Sequence, residues 1–392
     1  MTSEWNHSTI NDVCVLVTDG SHSSPKSVND GKYMVSVKDF TDYGFDFASC
    51  RMISNDDYET LKRNGCVPQM DDILIGKDGA RFFEDIIIYR QREKPALLSS
   101  IAILRCDKSK ILPDFLYYVL RTPSFRQDVK DNYGSGSAIP RIILKDFKRM
   151  MVSYPSLEKQ QSIISVLTAI DSKIQANTEI NDNLQQQAAA LFSSLYDRSN
   201  TEVRFTDLIQ ILGGGTPKTG ENTYWNGNIA FFTPKDVGIP YTLITEKTIS
   251  KEGLSHCNSR LYPVNTVFVT ARGTVGKVGM SGVPMAMNQS CYALVGKETH
   301  QLLVYFYTLK AVDRLKHKAS GAVFDAITTR DFESEQIMKL SDDDATAFLR
   351  VAEPMFQEVL NNNIENLRLS TLRDSLLPKL MSGEIDVSAV QL

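Results

Sequence analysis

The sequence predicts an α+β fold built twice, with a long helix after each copy. Three observations lead there. Short strand-like runs alternate with turn residues in both halves of the 392-residue chain. Two long helical segments follow these runs. A set of motifs recurs in the same order in each half.

The strand-like runs are 72–76, 86–89 and 100–105 in the first half, and 229–233, 266–270 and 291–295 in the second. Clusters of Gly, Pro, Asn and Asp separate them, as expected where strands end in turns. A helix is predicted after each set, over 113–129 and 302–318. Strands segregated from helices in this way fit an α+β domain with a mixed or antiparallel sheet.

The first long helix is read over 157–197, a stretch without Gly or Pro. Its seam is Ile170, Ile174, Asn177, Asn181, Leu184, Ala188, Leu191 and Leu195, in steps of three and four. That is a heptad seam, so the helix seeks a partner helix. Its length is roughly 60 Å at 1.5 Å per residue. Asn177 and Asn181 lie on the seam, where polar residues cost stability but define register. Ile163, Ile180 and Phe192 lie beside it, free either to carry a partner or to pack on their own domains.

The second long helix is read over 342–381, with Ile364, Leu367, Leu372, Leu376, Leu377 and Leu380 as its apolar positions. Asp342, Asp343 and Asp344 suit a helix N-terminus. Pro354 and Pro378 are predicted to kink or interrupt it, and Gly383 to stop it.

The repeat extends through the globular parts. Aligning Gly136 with Gly321 also aligns Asp146-Phe147 with Asp331-Phe332. Upstream, "PQMDDILIGKDGA" (68–80) matches "YPVNTVFVTARGT" (262–274), and "MVSVKDF" (34–40) matches "AFFTPKDV" (230–237). "TDGSHSSPK" (18–26) matches "LGGGTPK" (212–218). The predicted division is therefore 1–155, a helix over 156–198, 199–341, a helix over 342–383, and a tail over 384–392.

The net charge is −4, but the basic residues are grouped. Residues 86–150 hold 13 Lys/Arg against 6 Asp/Glu, and 206–340 hold 14 against 11. Attraction to phosphates depends on such local faces. There is no apolar run long enough to span a membrane and no secretory leader pattern, so a soluble cytoplasmic protein is expected. The six cysteines include no Cys-x-x-Cys and are not grouped with histidines. Reduced thiols are expected in place of a zinc site or a disulfide framework.

Motifs for catalysis are missing. "GTVGKV" (273–278) has Ala271 where a phosphate-binding loop needs its first glycine, and Val278 in place of the hydroxyl. The 213–218 loop lacks that form altogether, and two readings stay open for it. It is a structural turn, or it brings Lys218 and Thr219 to DNA. The histidines at 7, 22, 256, 300 and 317 are scattered. Asp56-Asp57 and Asp71-Asp72 read as solvated turn caps.

These motifs together resemble the specificity subunits of type I restriction-modification systems. "GGTPK" followed by "YWNG" and "TPKD" is similar to the opening of their target-recognition domains, and Asp19-Gly20-Ser21-His22 to a variant of it. "GSGSAIPRIILKDF" leading into "SYPSLEKQQSIISVLTAIDSKI" is similar to the passage from such a domain into its spacer helix, and "RDSLLPKLMSGEI" to the end of the distal helix. The second domain departs from the pattern, with "QIMKLSDDDAT" before its helix and Pro354 within it.

The resemblance implies a non-catalytic reader of double-stranded DNA. Two recognition domains, related by a pseudo-twofold axis, each read half of a split site. Two antiparallel helices paired as a coiled coil set the spacing between the halves. Ile170, Ile174, Asn177, Asn181, Leu184, Leu191, Ile364, Leu367 and Leu376 are the seam residues expected to pair. The implied partners are two methyltransferase subunits, which bring AdoMet, and restriction/translocase subunits, which use ATP and Mg. This chain is expected to hold no cofactor or metal of its own.

Base and phosphate contacts come from Arg, Lys, Asn, Gln and hydroxyl residues on loops. The candidates in the first domain are His22, Lys26, Lys38, Lys77, Arg81, Ser135, Ser137 and Arg141. In the second they are Lys218, Thr219, Lys235, Arg272, Lys277, Asn288, Gln289 and Ser320. Lys310, Arg314, Lys316 and Lys318 form a further basic cluster on the predicted 302–318 helix. The rival readings are a coiled-coil adaptor without a DNA role and a nuclease with an unfamiliar site.

Overall fold

The computed structural model describes residues 5–134, 140–238, 240–318 and 326–387. The chain forms two compact units. One comprises residues 1–172 and 369–392, the other 173–368, so each unit takes part of both long helices.

The first unit is built on a four-stranded antiparallel sheet, in the order Cys14–Asp19, Ile101–Cys106, Ile73–Gly76, Ile86–Ile88. Every residue of Ile73–Gly76 is buried, because both faces of the sheet are covered. Ile73 and Ile75 share one cluster with Ala102, Leu104 and Phe115. Leu74 shares another with Ile101, Ile103 and Leu97. The two-residue period of a strand sorts alternate side chains between these clusters.

A second sheet runs Arg51–Ile53, Lys32–Val35, Ala96–Leu97, its last pair parallel. Asn6–Thr9 pairs antiparallel with Met151–Tyr154 just before the first long helix.

The second unit repeats this plan. Its main sheet runs Ile209–Gly213, Cys291–Gly296, Val267–Thr270, Val278–Ser281, Tyr241–Thr242. Its second sheet runs Lys247–Ile249, Trp225–Phe232, Met285–Met287, again with a parallel last pair. Thr201–Arg204 pairs with Gln336–Lys339. Fine details repeat as well. Asp71 and Asn265 both have φ 69°. The Ile142 amide donates to Lys77 O at 3.0 Å, and the Ile327 amide to Ala271 O at 2.9 Å.

Three expectations are corrected. The helix expected over 113–129 is two helices, Pro113–Arg121 and Pro123–Asn132. Pro123 drives Thr122 into an extended conformation (φ −62°, ψ 141°), and the Thr122 hydroxyl caps the second helix. The second long helix runs unbroken from Asp342 to Met381, through Pro354 and Pro378. Both prolines are exposed, as are Arg350 and Asp374 four residues before them. The carbonyls they leave without a donor lie on the wet side. Leu372, read as an apolar contact position, is exposed.

The first long helix is Leu157–Asp197. The second ends where Gly383 takes φ 77° and donates its amide to Leu380 O.

Within the second unit the two helices run antiparallel. The Asn177 amide donates to Glu365 and Asn366 at 2.8 Å, and Asn181 pairs with Asn362 and Asn363 at 2.9 Å. Leu184, Leu191 and Ile364 pack on the core of this unit. Within the first unit, Asp171 accepts from Arg373 at 2.8 Å, and Leu376 packs beside Ile163, Leu167 and Leu377. Of the three positions left open, Ile163 and Phe192 are buried in the cores of their own units, and Ile180 is exposed. No helix among the described residues is long and apolar enough to cross a membrane.

Candidate nucleic-acid interface

In the second unit, three loops and a strand converge on an open cleft of about 550 Å³. Lys235 comes from the turn after Trp225–Phe232. Arg272 and Lys277 come from the loop joining Val267–Thr270 to Val278–Ser281. Asn288 comes from the turn between Met285–Met287 and Cys291–Gly296, and Lys247 from its own strand.

Each loop is held by its own sequence. In Thr-Pro-Lys-Asp, the Asp236 carboxylate accepts from the Thr233 amide at 2.8 Å and its hydroxyl at 2.6 Å, and Lys235 remains exposed. In the Arg272 loop, the Thr270 hydroxyl accepts from the Lys277 amide at 2.9 Å. Gly273 and Gly276 take φ of 81° and 75°, a region open to glycine. The Asn288 side chain accepts from the Ser290 amide at 3.0 Å.

The cleft is strongly basic. Among the described residues, Lys235, Lys247, Arg272 and Lys277 face a single lining carboxylate, Glu246, which lies 3.8 Å from Lys235. Neither Arg272 nor Lys277 has a carboxylate oxygen within 4 Å among the described residues. Lys247 sits 5.6 Å from the centre of the Trp225 ring. Such a cleft offers charge for phosphates, and Arg and Asn donors for base edges.

Four sequence candidates, Lys235, Arg272, Lys277 and Asn288, thus meet at one place. The other described candidates do not line it. Gln289 accepts from the Thr216 hydroxyl. Lys218 and Thr219 are exposed on the opening loop. The glycines of that loop answer to packing. A Cβ on Gly214 would stand 2.2 Å from Asn288 O, and one on Gly215 would stand 2.6 Å from Asn258 N. Ser320 lies outside the described residues.

The helical cluster divides. Arg314 and Lys318 pair with the buried Glu335 at 2.9 and 2.5 Å, and Lys310 sits over the Tyr196 ring. Lys247 and Trp225 were missed. Lys247 lies outside the matched motifs, and only the sheet brings it to the cleft; Trp225 belongs to the quoted YWNG motif and meets the cleft only through Lys247, which sits over its ring.

The first unit carries the same loops with different charges. Lys38 is exposed on a turn held as in the second unit, with the Ser36 amide donating to Asp39 at 2.8 Å. Lys77, expected as an exposed cation, is buried. Its side chain is 8% exposed and lies 3.4 Å from Asp19, itself 8% exposed. It occupies the position of buried Ala271, so it faces inward. Asp78, 3.6 Å from Lys77, stands where the second unit has Arg272.

Arg81 is exposed but paired with Asp85 at 2.7 Å. His22 and Lys26 are exposed, His22 lying 3.4 Å from Asp19. Arg141 is exposed, and its main chain bridges Asp78. Ser135 and Ser137 lie outside the described residues. The expectation of matching basic loops therefore holds for backbone geometry and fails for charge at these positions.

A duplicated α+β domain with a long helix after each copy, and a loop-built basic cleft on one copy, defines a two-domain recognition protein. A family model described as "Type I restriction modification DNA specificity domain" matches residues 2–186 and 198–339; the chain belongs to that family. It is 24% identical to the type I restriction enzyme HindI specificity subunit of Haemophilus influenzae, over 72% of this chain and 80% of that protein. It is 22% identical to the MjaIX specificity subunit of Methanocaldococcus jannaschii, over 71% of each. The crystal structure of a type I restriction-modification S subunit from M. genitalium shares the fold, with a TM-score of 0.60 at 15% identity, covering 97% of this chain and 96% of that one.

Proposed function

We propose that each globular domain reads one half of a split duplex target and that the chain itself catalyses nothing. The second domain does so through the Lys235–Arg272–Lys277–Asn288 cleft. That cleft is the observation that carries the reading. It gathers four cations, from two loops and a strand, against a single lining carboxylate among the described residues, which a scaffold without a DNA role does not require. The long helices set the half-site spacing, since rigidly linked readers impose a spacing on their sites. They also dock two methyltransferase subunits. The methyl donor AdoMet belongs to those subunits. ATP and Mg belong to restriction/translocase subunits, and the assembly works in the cytoplasm.

The test is methylome sequencing of a host with and without this gene, its neighbours kept. Loss of one split methylated motif supports the reading, and an unchanged methylome overturns it. Binding of a duplex carrying that motif should weaken steeply with salt, because phosphate contacts release counterions. A salt-independent interaction would favour the adaptor reading.

A further inference from the structure

The first unit holds a cavity of about 240 Å³ that the DNA reading does not use. It lies where the corner between Pro113–Arg121 and Pro123–Asn132 meets the last turns of the second long helix. Its walls are Tyr118, Arg121, Pro123, Arg126, Arg373, Asp374 and Leu377.

Three guanidinium groups therefore share one small space, and only one is neutralised. Arg373 pairs with Asp171 at 2.8 Å and with Asp374 at 2.9 Å. Arg121 stacks on the Tyr117 ring and donates to its hydroxyl, a neutral partner. Arg126 donates to a main-chain carbonyl, Glu84 O, at 3.2 Å. Its Nε is buried and has no hydrogen-bond partner. Neither Arg121 nor Arg126 has a carboxylate oxygen within 4 Å among the described residues. Burial, then the neighbouring Arg121, pull the Arg126 pKa down, outweighing the opposite pull of Glu84 and Asp374. Asp374 on the wall and Glu84 offset this only from beyond 4 Å, so two close like charges without a direct ion-pair partner remain costly in a recess, and an anion arriving between them is favoured.

We infer that this cavity is a binding site for a single carboxylate, the side chain of an Asp or Glu on a partner polypeptide. Three observations favour that occupant over a duplex phosphate. The site is recessed, with the Arg373 side chain only 17% exposed and Leu377 buried. A side chain on a stem reaches there; a phosphate in a duplex backbone does not. Asp374, a lining residue 65% exposed and paired with Arg373, and Glu84, 40% exposed, oppose a continuous polyanion more than a single carboxylate seated between Arg121 and Arg126. The chain also shows the matching solution internally, where Glu335 neutralises Arg314 and Lys318. The paired donors of arginine suit a carboxylate geometrically. A second cavity of about 300 Å³ touches the same corner, its lining mixed between apolar residues such as Val119 and Phe125 and the hydroxyl residues Thr122, Ser124, Ser153 and Ser382.

The experiment is calorimetry on the full chain at fixed ionic strength, with N-acetylglutamate α-amide as probe. It presents one glutamate carboxylate and no other charge. Inorganic phosphate and a short duplex form the other arms. Saturable binding is expected, weakened at least about ten-fold in R121Q/R126Q, the scale of lost charge-assisted hydrogen bonds. Arg126→Lys, which keeps the charge and loses the planar fork, should fall between; it also serves if the double variant does not fold. The inference is overturned if the amide does not bind saturably, or if the variants bind it as well as the parent. It is equally overturned if phosphate binds more tightly and the duplex displaces the amide, because the cavity would then be a DNA contact.

Discussion

The side-chain amide of Asn362 donates to the Asn181 carbonyl oxygen at 2.9 Å, and the Asn181 amide donates to Asn363 at 2.9 Å. Asn181 and Asn362 are both buried. Leucine at these positions would bury more apolar surface. The amides instead pair with one another across the helix pair, so a one-residue slip would leave buried polar groups unsatisfied. Asn181→Ala should cost about 1–3 kcal/mol, since it strands buried amide groups on the facing helix. The double change Asn181→Leu, Asn362→Leu should recover most of that loss. Urea unfolding of the three proteins checks this; an alanine variant as stable as the parent would remove the role given to the pair.

Lys77 and Asp19 form a buried pair in the first unit, where the second unit has Ala271 and Gly213. Lys77→Ala alone should cost about 3 kcal/mol, because Asp19 is left buried beside only the exposed His22. Adding Asp19→Gly, which installs the second unit's residues at both positions, should restore much of the loss. A double-mutant cycle by chemical denaturation measures the coupling. Additive effects would mean that the two charges are solvated independently.

Acid should loosen the helix pair. The hydrogen bond from Asn177 holds the Glu365 carboxyl below its usual range, with Lys173 helping. Arg198 does the same for Asp344. Each folded pKa lies below the unfolded one, so the unfolded chain binds protons more readily. The stabilisation is complete above the ordinary carboxylate values of about 4. It is lost as pH falls through the lowered values. Melting temperature against pH should drop more steeply in the parent than in Glu365→Gln below pH about 4. Equal slopes would deny Glu365 this role.

Thiol reactivity should sort the cysteines. Burial pushes the Cys291 thiol up to about 12 and raises Cys66. A hydrogen bond with Cys14, then burial, raises Cys106. These three should resist alkylation at pH about 8 in the native chain, since the thiolate is the nucleophile. They should react once the chain is unfolded. Half-exposed Cys257 should react first. Peptide mass mapping after a timed pulse checks the order.

Specificity should be changeable one half at a time. Arg272 and Asp78 occupy corresponding positions with opposite hydrogen-bonding character. Arginine donates to guanine in the major groove, while aspartate accepts from the cytosine amino group. Arg272→Asp should alter or abolish recognition at one position of one half-site, by about 1–3 kcal/mol. The other half-site should stay unchanged in the methylome. Loss of both halves together would point to a folding defect.

The sequence by itself determined the duplication, the α+β class, the two long helices and the polar seam. All of these are carried by local periodicity or by motifs repeated at fixed spacing. The sites of Lys235, Arg272, Lys277 and Asn288 were legible for the same reason, because each lies in a loop that the repeat marks out. The tertiary structure alone decided where those loops meet and which charges remain without partners. Lys77 reads like its exposed neighbours, yet it faces inward because Asp19, from a distant strand, supplies its counter-charge. Lys247 reads as an ordinary strand residue until the second sheet brings it to the cleft. Pro354 and Pro378 read as helix breakers, yet both fall on the wet face, where water can satisfy the carbonyls they leave free. A charge is decided by what surrounds it, and the groups around these residues come from elements far apart along the chain.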